Sequence, residues 1–172
     1  MNELDLYPDG WTLWIVPRPF RRQLLVAAAG VAQARPLVVL DCGRQFDATS
    51  VARAARGRAE VIDRIQVQRA FTCFEAARLI QVHAASLRPV LVLDLLATFQ
   101  DENVPFNARR YLLEETVKAL QELNRGAGLA VSAHPPADNP ESRWLLDCLR
   151  SAASQVLSYE APDTHVTQPG LF

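Results

Sequence analysis

Cysteine is scarce in this sequence, and so is any imbalance of charge. The three cysteines, Cys42, Cys73 and Cys148, are far apart, odd in number and form no CxxC pair. That excludes a disulfide framework and a cysteine-based zinc site, and it suits buried or free thiols in a reducing compartment. The formal net charge of -1 argues against a chain that coats nucleic acid by bulk charge, so only local basic patches could touch it. No apolar run approaches the ~20 residues a membrane helix needs. The polar, acidic opening from Met1 to Gly10 does not read as a signal peptide. A cytoplasmic protein without a membrane partner is the expectation. Internal repeats and Gly/Ser-rich linkers are also missing.

What is present is apolar material in quantity. Residues of apolar type make up 49 % of 172, against 22 % charged, which predicts one packed domain and not a disordered chain. Short apolar runs alternate with segments of helical period. Trp11–Val16, Leu37–Leu40, Val61–Val67, Val90–Leu93, Leu129–Val131 and Gln155–Tyr159 read as strands. Arg21–Ala34 reads as a helix, and Asp47 caps a short one that Gly57 ends. Phe74–Leu87 places Leu79, Ile80, His83 and Leu87 on one helical face. Pro105 opens a long helix with Leu113, Val117 and Leu120 as its stripe, closed by Gly126. Asn139-Pro140-Glu141 starts the last helix, which carries Trp144, Leu145 and Leu149.

This alternation predicts an α/β fold, with a mainly parallel central sheet and helices on both faces. Residues 1–160 form the core, and 161–172 read as a polar, flexible tail. Ligands of such sheets sit beyond the carboxyl ends of the strands. The turns after Val16, Leu40, Leu93 and Val131 are therefore the places to look for chemistry.

At those turns the chain resembles a known family. Gln68-Arg69-Ala70-Phe71-Thr72-Cys73-Phe74-Glu75-Ala76-Ala77-Arg78-Leu79-Ile80 is similar to the "ARAF" strand end and following helix of RadA-type recombinases. Val90-Leu91-Val92-Leu93-Asp94 resembles a Walker B strand. Asp41 with Phe46 resembles the family's second strand and turn, and Leu129–His134 the strand before its second DNA-binding loop. The resemblance runs from about Trp11 to Pro136. It implies a RecA-like, P-loop NTPase-like core whose nucleotide-site positions are Arg21, Arg22, Asp41, Asp94 and His134.

The departures concern chemistry. The family's phosphate turn is Gly-rich, with a Lys for the β/γ-phosphates and a Ser/Thr for Mg²⁺. Here it reads Pro17-Arg18-Pro19-Phe20-Arg21-Arg22-Gln23-Leu24, without glycine, lysine or hydroxyl. Two prolines remove N–H donors. Gly43 falls where a catalytic Glu should stand, and His134 where the phosphate-sensing Gln should be. Asp94 alone survives of the usual set, and a lone carboxylate at a strand end commonly only caps the next turn. Bound ATP and Mg²⁺ are not expected, and no catalytic residue is assigned.

Other candidates keep two readings. Arg18, Arg21 and Arg22 suit either an anion at a helix N-terminus or a solvated basic rim. His83 suits packing against the sheet better than ligation. The Pro135-Pro136 loop after His134 is stiff enough for binding or for stability. Arg109-Arg110 could reach phosphate, or belong to a mixed-charge surface with Asp101 and Glu102. Gln168-Pro169-Gly170-Leu171-Phe172 resembles the bacterial sliding-clamp-binding pentapeptide Gln-x-x-Leu-Phe. Gln168 would supply amide hydrogen bonds, while Leu171 and Phe172 would fill an apolar pocket or else fold back on the domain.

The function these features imply is a non-enzymatic, RecA-like pseudo-ATPase. It would serve as accessory or scaffold in bacterial DNA repair, recombination or damage tolerance, with the sliding clamp and DNA-repair proteins as partners. An active ATPase with an unorthodox phosphate loop is one alternative. A small-molecule enzyme using Asp41, Asp94 and His134 is another. A polar pocket joining those three would favour the enzyme.

Overall fold

The apolar runs pair side by side. A computed structural model describes residues 10–126 and 128–159. Its six strands are β1 (Thr12–Ile15), β2 (Leu37–Asp41), β3 (Ile65–Arg69), β4 (Val90–Leu93), β5 (Leu129–Ala133) and β6 (Gln155–Ser158). They form one sheet in the order β3-β2-β4-β5-β1-β6, and every pairing is parallel. Across the middle, Val39 stands between Val67 and Leu91, and Leu91 pairs in turn with Ala130.

The helices divide between the two faces. On one lie α1 (Arg21–Ala34), α2 (Ala48–Ala54) and α3 (Ala59–Asp63); on the other α4 (Cys73–His83), α5 (Phe106–Gly126) and α6 (Pro140–Ala152). Residues of β2 and β4 alternate between the two cores. Leu37, Val39, Leu91 and Leu93 pack with Leu24, Leu25 and Val51 of α1 and α2. Val38, Leu40, Val90 and Val92 pack with Ile80, Leu113, Leu120 and Leu145 of α4, α5 and α6. Burial on both faces is why these strands are continuous apolar runs and not alternating ones. Each such side chain contributes roughly 1.5–3 kcal/mol by leaving water.

Local chemistry sets the helix ends. Asp47 accepts hydrogen bonds from the backbone N–H groups of Thr49 and Ser50 and starts α2. The chain leaves that helix through Gly57 at a φ of 74°, a conformation glycine adopts at no steric cost. Thr72 accepts from the N–H of Glu75 at the start of α4, and the Glu75 carboxylate accepts from the N–H of Phe71, a variant of the capping box. Asn139 caps α6 by accepting from Ser142 N–H, with Pro140 as the first helical residue.

Two expectations need correction. Val61–Asp63 is helical: the alternation through Ile65 and Val67 is real, but Val61 is buried as part of the short α3, and the strand begins at Ile65. The fourth helix stops at His83, so Leu87 lies beyond it and is 86 % exposed. Pro105 stands just before α5 and accepts from the N–H groups of Ala108 and Arg109. The tail, residues 161–172, lies outside the described residues.

Candidate functional site

The sheet creates two crevices at its carboxyl edge. The chain leaves β1 and β2 toward the α1–α3 face, and leaves β4 and β5 toward the α4–α6 face. Since β2 adjoins β4 and β1 adjoins β5, the connections diverge at both places, where α/β sheets bind ligands. Asp94 stands at the first crevice and His134 at the second.

Asp94 ends β4 in the left-handed region, at φ 50° and ψ 56°. Aspartate tolerates that conformation better than most residues. The turn swings the chain into a 3-10 segment, Leu95–Gln100. Its backbone N–H donates to the Ser132 hydroxyl of β5 at 2.9 Å. Its Oδ2 accepts from Gln45 Nε2 at 3.2 Å and lies 3.6 Å from His134 Nε2. Burial pushes the Asp94 carboxyl above its usual range, while His134, Gln45 and Arg18 pull the other way.

The tautomer of His134 follows from its partners. Nδ1 lies 3.0 Å from the carbonyl oxygen of Val16, which can only accept, so Nδ1 carries the proton. In the neutral ring Nε2 is then an acceptor, and Gln45 Nε2 lies 3.2 Å from it. One amide nitrogen thus gives its two hydrogens to His134 and Asp94. Gln45 Oε1 is buried and has no hydrogen-bond partner.

Gly43 explains the closeness of the first crevice. A Cβ there would meet Asp94 Oδ2 at 2.4 Å and Asp94 Cβ at 2.5 Å. The position is glycine because the Asp94 side chain occupies its space, and a glutamate cannot stand there with Asp94 in place.

Asp41 has a different occupation. Its Oδ1 accepts from Gln45 N–H at 2.8 Å, and its Oδ2 from Phe46 N–H at 3.1 Å and Arg69 Nε at 3.3 Å. It holds its own turn together. Of the three strand-end residues, Asp94 and His134 come together, and Asp41 reaches them only through Gln45. Neighbouring Cys42 is buried, and its thiol is pushed up to about 12 by burial first and by Asp41 and Asp94 next. It is a packing residue and not a nucleophile.

A cleft of about 440 Å³ opens beside the pair, lined by Asp94, His134, Arg18, Gln100, Glu102 and Ser142 among others. Arg21 and Arg22 are exposed at the start of α1 and do not line it; Arg21 acts on Asp47 instead. The Pro17–Leu24 turn is a 3-10 turn, Arg18–Phe20, running straight into α1. Phe20 N–H is spent on the Pro17 carbonyl, and its ring packs 5.9 Å from that of Tyr159. No glycine-built cradle of N–H groups is there, so these residues do not fit a nucleotide triphosphate. Among the described residues, no group of three or more His, Cys, Asp or Glu side chains could hold a metal ion.

Arg109, read from sequence as a possible phosphate contact, is buried. It donates to the carbonyls of Phe99 and Val104 and to Glu141 Oε2 at 2.6 Å. Arg110 lies over the Trp144 ring and pairs with Glu114. His83 bonds Gln68 Oε1 at 3.2 Å. Gln168, Leu171 and Phe172 lie outside the described residues. Sequence reasoning missed Gln45, whose side-chain partners Asp94 and His134 lie far away along the chain; the only hint was a polar residue two places after a strand-end glycine.

No protein-family model matches this chain, and no curated protein matches it in sequence. Among the described residues, no helix is long and apolar enough to cross a membrane. A role has to be argued from the site.

Proposed function

We propose that this chain is a non-enzymatic, RecA-like accessory or scaffold protein of bacterial DNA repair, recombination or damage tolerance, docking on the sliding clamp through Gln168–Phe172. The contact between Gly43 and Asp94 carries the pseudo-ATPase half of this reading. It fills the place where a water-orienting carboxylate would have to stand. The donor-poor Pro17–Leu24 turn adds to it. Phe71 and Phe74, 61 % and 56 % exposed beside Arg44 and Arg78, suit a protein that works through contacts. The resemblance of Gln168-x-x-Leu171-Phe172 to the clamp-binding pentapeptide carries the partner.

Burying one Leu and one Phe contributes roughly 1.5–3 kcal/mol each, and lost association entropy takes back several kcal/mol. Micromolar affinity is expected. The test is surface plasmon resonance of the full chain over an immobilised bacterial sliding clamp. Leu171→Ala with Phe172→Ala abolishes binding and leaves the melting temperature unchanged. No binding by the wild-type chain refutes the docking. So does a loss of about 3 kcal/mol or more of stability in the double variant, which would place both side chains in the core.

One observation favours the small-molecule enzyme: Asp94 and His134 share a cleft of mixed polar and apolar lining. Asp41, committed to its own turn, does not join them there. For the active-ATPase alternative, Mg²⁺-dependent turnover lost in Asp94→Ala would be the deciding result.

A further inference from the structure

Gln45 sits in a chain of hydrogen bonds that ties four strand ends together. The chain runs from the Val16 carbonyl after β1, through His134 after β5, to the Gln45 amide after β2, and on to Asp94 after β4. Gln45 is also held by its backbone, through Asp41. The link between Gln45 and His134 depends on the lone pair at His134 Nε2. With that lone pair free, Gln45 bridges. With a proton on it, two N–H groups face each other at 3.2 Å, and neither can accept.

We propose that Gln45, Asp94 and His134 form a proton-operated latch. With His134 neutral, Gln45 pins the β2 turn to β4 and β5. When a proton from solvent adds to Nε2, the ring closes onto Asp94 Oδ2 and the Gln45 amide is expelled, leaving the turn Cys42–Asp47 one tie looser and held through Asp41.

The geometry supplies each part. Asp94 Oδ2 is already 3.6 Å from Nε2, a short movement from a charge-assisted hydrogen bond. A quarter of the His134 side chain is exposed, so solvent protons reach it through the cleft. Leaving also relieves Gln45 Oε1, which is buried without a partner while the latch is shut, and this offsets part of the Asp94 bond that is lost. The charged groups facing His134 are Asp94 from β4, Arg18 from the β1–α1 turn and Glu102 from the loop before α5. Asp41 and Cys42 lie behind Gln45 on β2 and its turn.

The turn carries Arg44, in the left-handed region at φ 54°, with its guanidinium 5.4 Å from the Phe71 ring centroid. Opening the latch therefore loosens the exposed Arg44–Phe71 surface. The inference holds whether or not the chain docks on a clamp.

The experiment is nuclear magnetic resonance on the ¹⁵N-labelled full chain, titrated from about pH 8 to about pH 5, the range in which histidine changes charge. The Gln45 side-chain amide, assigned by its loss in Gln45→Glu, is expected to shift with the same midpoint as the His134 ring nitrogens. Exchange protection of the Gly43–Phe46 amides is expected to fall about tenfold beyond the intrinsic pH effect, the worth of one hydrogen bond. His83 is an internal control. Its Nε2 must donate to Gln68 Oε1, so its titration should leave the Gln68 amide in place. Gln45 resonances that stay fixed while His134 titrates overturn the proposal, and this needs no variant. A Gln45 shift that persists in His134→Gln overturns it as well.

Discussion

Gly43→Ala is the substitution on which the site makes its sharpest demand. Gly43 is not in the left-handed region, so alanine pays no conformational penalty, and the cost is steric. The new methyl would lie 2.4 Å from Asp94 Oδ2, 2.5 Å from its Cβ and 2.8 Å from its Cγ. Comfortable carbon contacts are about 3.5–4.0 Å. Rotating the carboxyl does not relieve the clash, because the Asp94 Cβ is itself too close, so the backbone at the end of β4 has to retreat by about 1 Å. Overpacking of this kind costs about 1–3 kcal/mol. Losing the Gln45–Asp94 bond adds about 1.5–3 kcal/mol, as for hydrogen bonds to charged groups. A loss of about 3 kcal/mol lowers the melting temperature by about 6–12 °C in a domain this size. Gly30→Ala is the matched control. Gly30 lies exposed on α1, and a Cβ there meets nothing within 4 Å. That change should raise the melting temperature by about 1–4 °C, by restricting the unfolded chain and restoring helix propensity. Differential scanning calorimetry of both variants decides. A Gly43→Ala protein melting within about 2 °C of wild type refutes the packing argument. Gly43→Glu, which restores the carboxylate the ATPase pattern requires, should melt lower still and hydrolyse no ATP.

Arg109→Ala removes the donor to the Phe99 and Val104 carbonyls and to Glu141. Urea unfolding should show a loss of about 2–3 kcal/mol, the scale for leaving buried carbonyl acceptors without their donor. Arg109→Lys should recover little of it, since an ammonium cannot reproduce the fork. For Asp94 the prediction is a pH dependence. Its folded carboxyl titrates above the ordinary value of about 3.9 because it is buried. Between those two values the folded state holds a proton the unfolded state has lost, so Asp94 lowers stability as pH rises through that window. Asp94→Asn keeps the left-handed turn, which asparagine also tolerates, and removes the titration. The melting temperature of the variant minus that of wild type should therefore grow as pH rises from about 4 through the raised Asp94 titration; a constant difference would show that Asp94 is not the group responsible.

The strands buried on both faces were legible because β2, β4 and β5 carry continuous apolar runs. So were the caps Asp47 and Asn139, whose hydrogen bonds close within three residues. Val61 was not, because one buried residue in a five-residue helix offers no period to read. Leu87 was not, because nothing in its side chain shows that α4 stops four residues earlier. At the site, Asp41 and Asp94 are indistinguishable in sequence: each ends a buried apolar strand. What separates them is the backbone that follows. After Asp41 the chain folds back, so that the Gln45 and Phe46 N–H groups saturate its carboxylate. After Asp94 it turns left-handed into a 3-10 segment, and the carboxylate faces its neighbours across the sheet.

Gly43 concentrates this difference between sequence and space. Along the chain it stands where the resemblance to RadA-type recombinases expects a glutamate. In space it is the one residue type that lets the β2 turn lie against Asp94. That approach brings Gln45 within reach of both Asp94 and His134. A chain that kept glutamate at 43 would hold the β2 turn away from Asp94, and the Gln45 bridge would have nothing to span. Glycine at 43 and the hydrogen-bond chain across four strand ends therefore stand or fall together. A test that separates them, such as Gly43→Ala read by calorimetry and by the Gln45 amide resonance together, should move both at once.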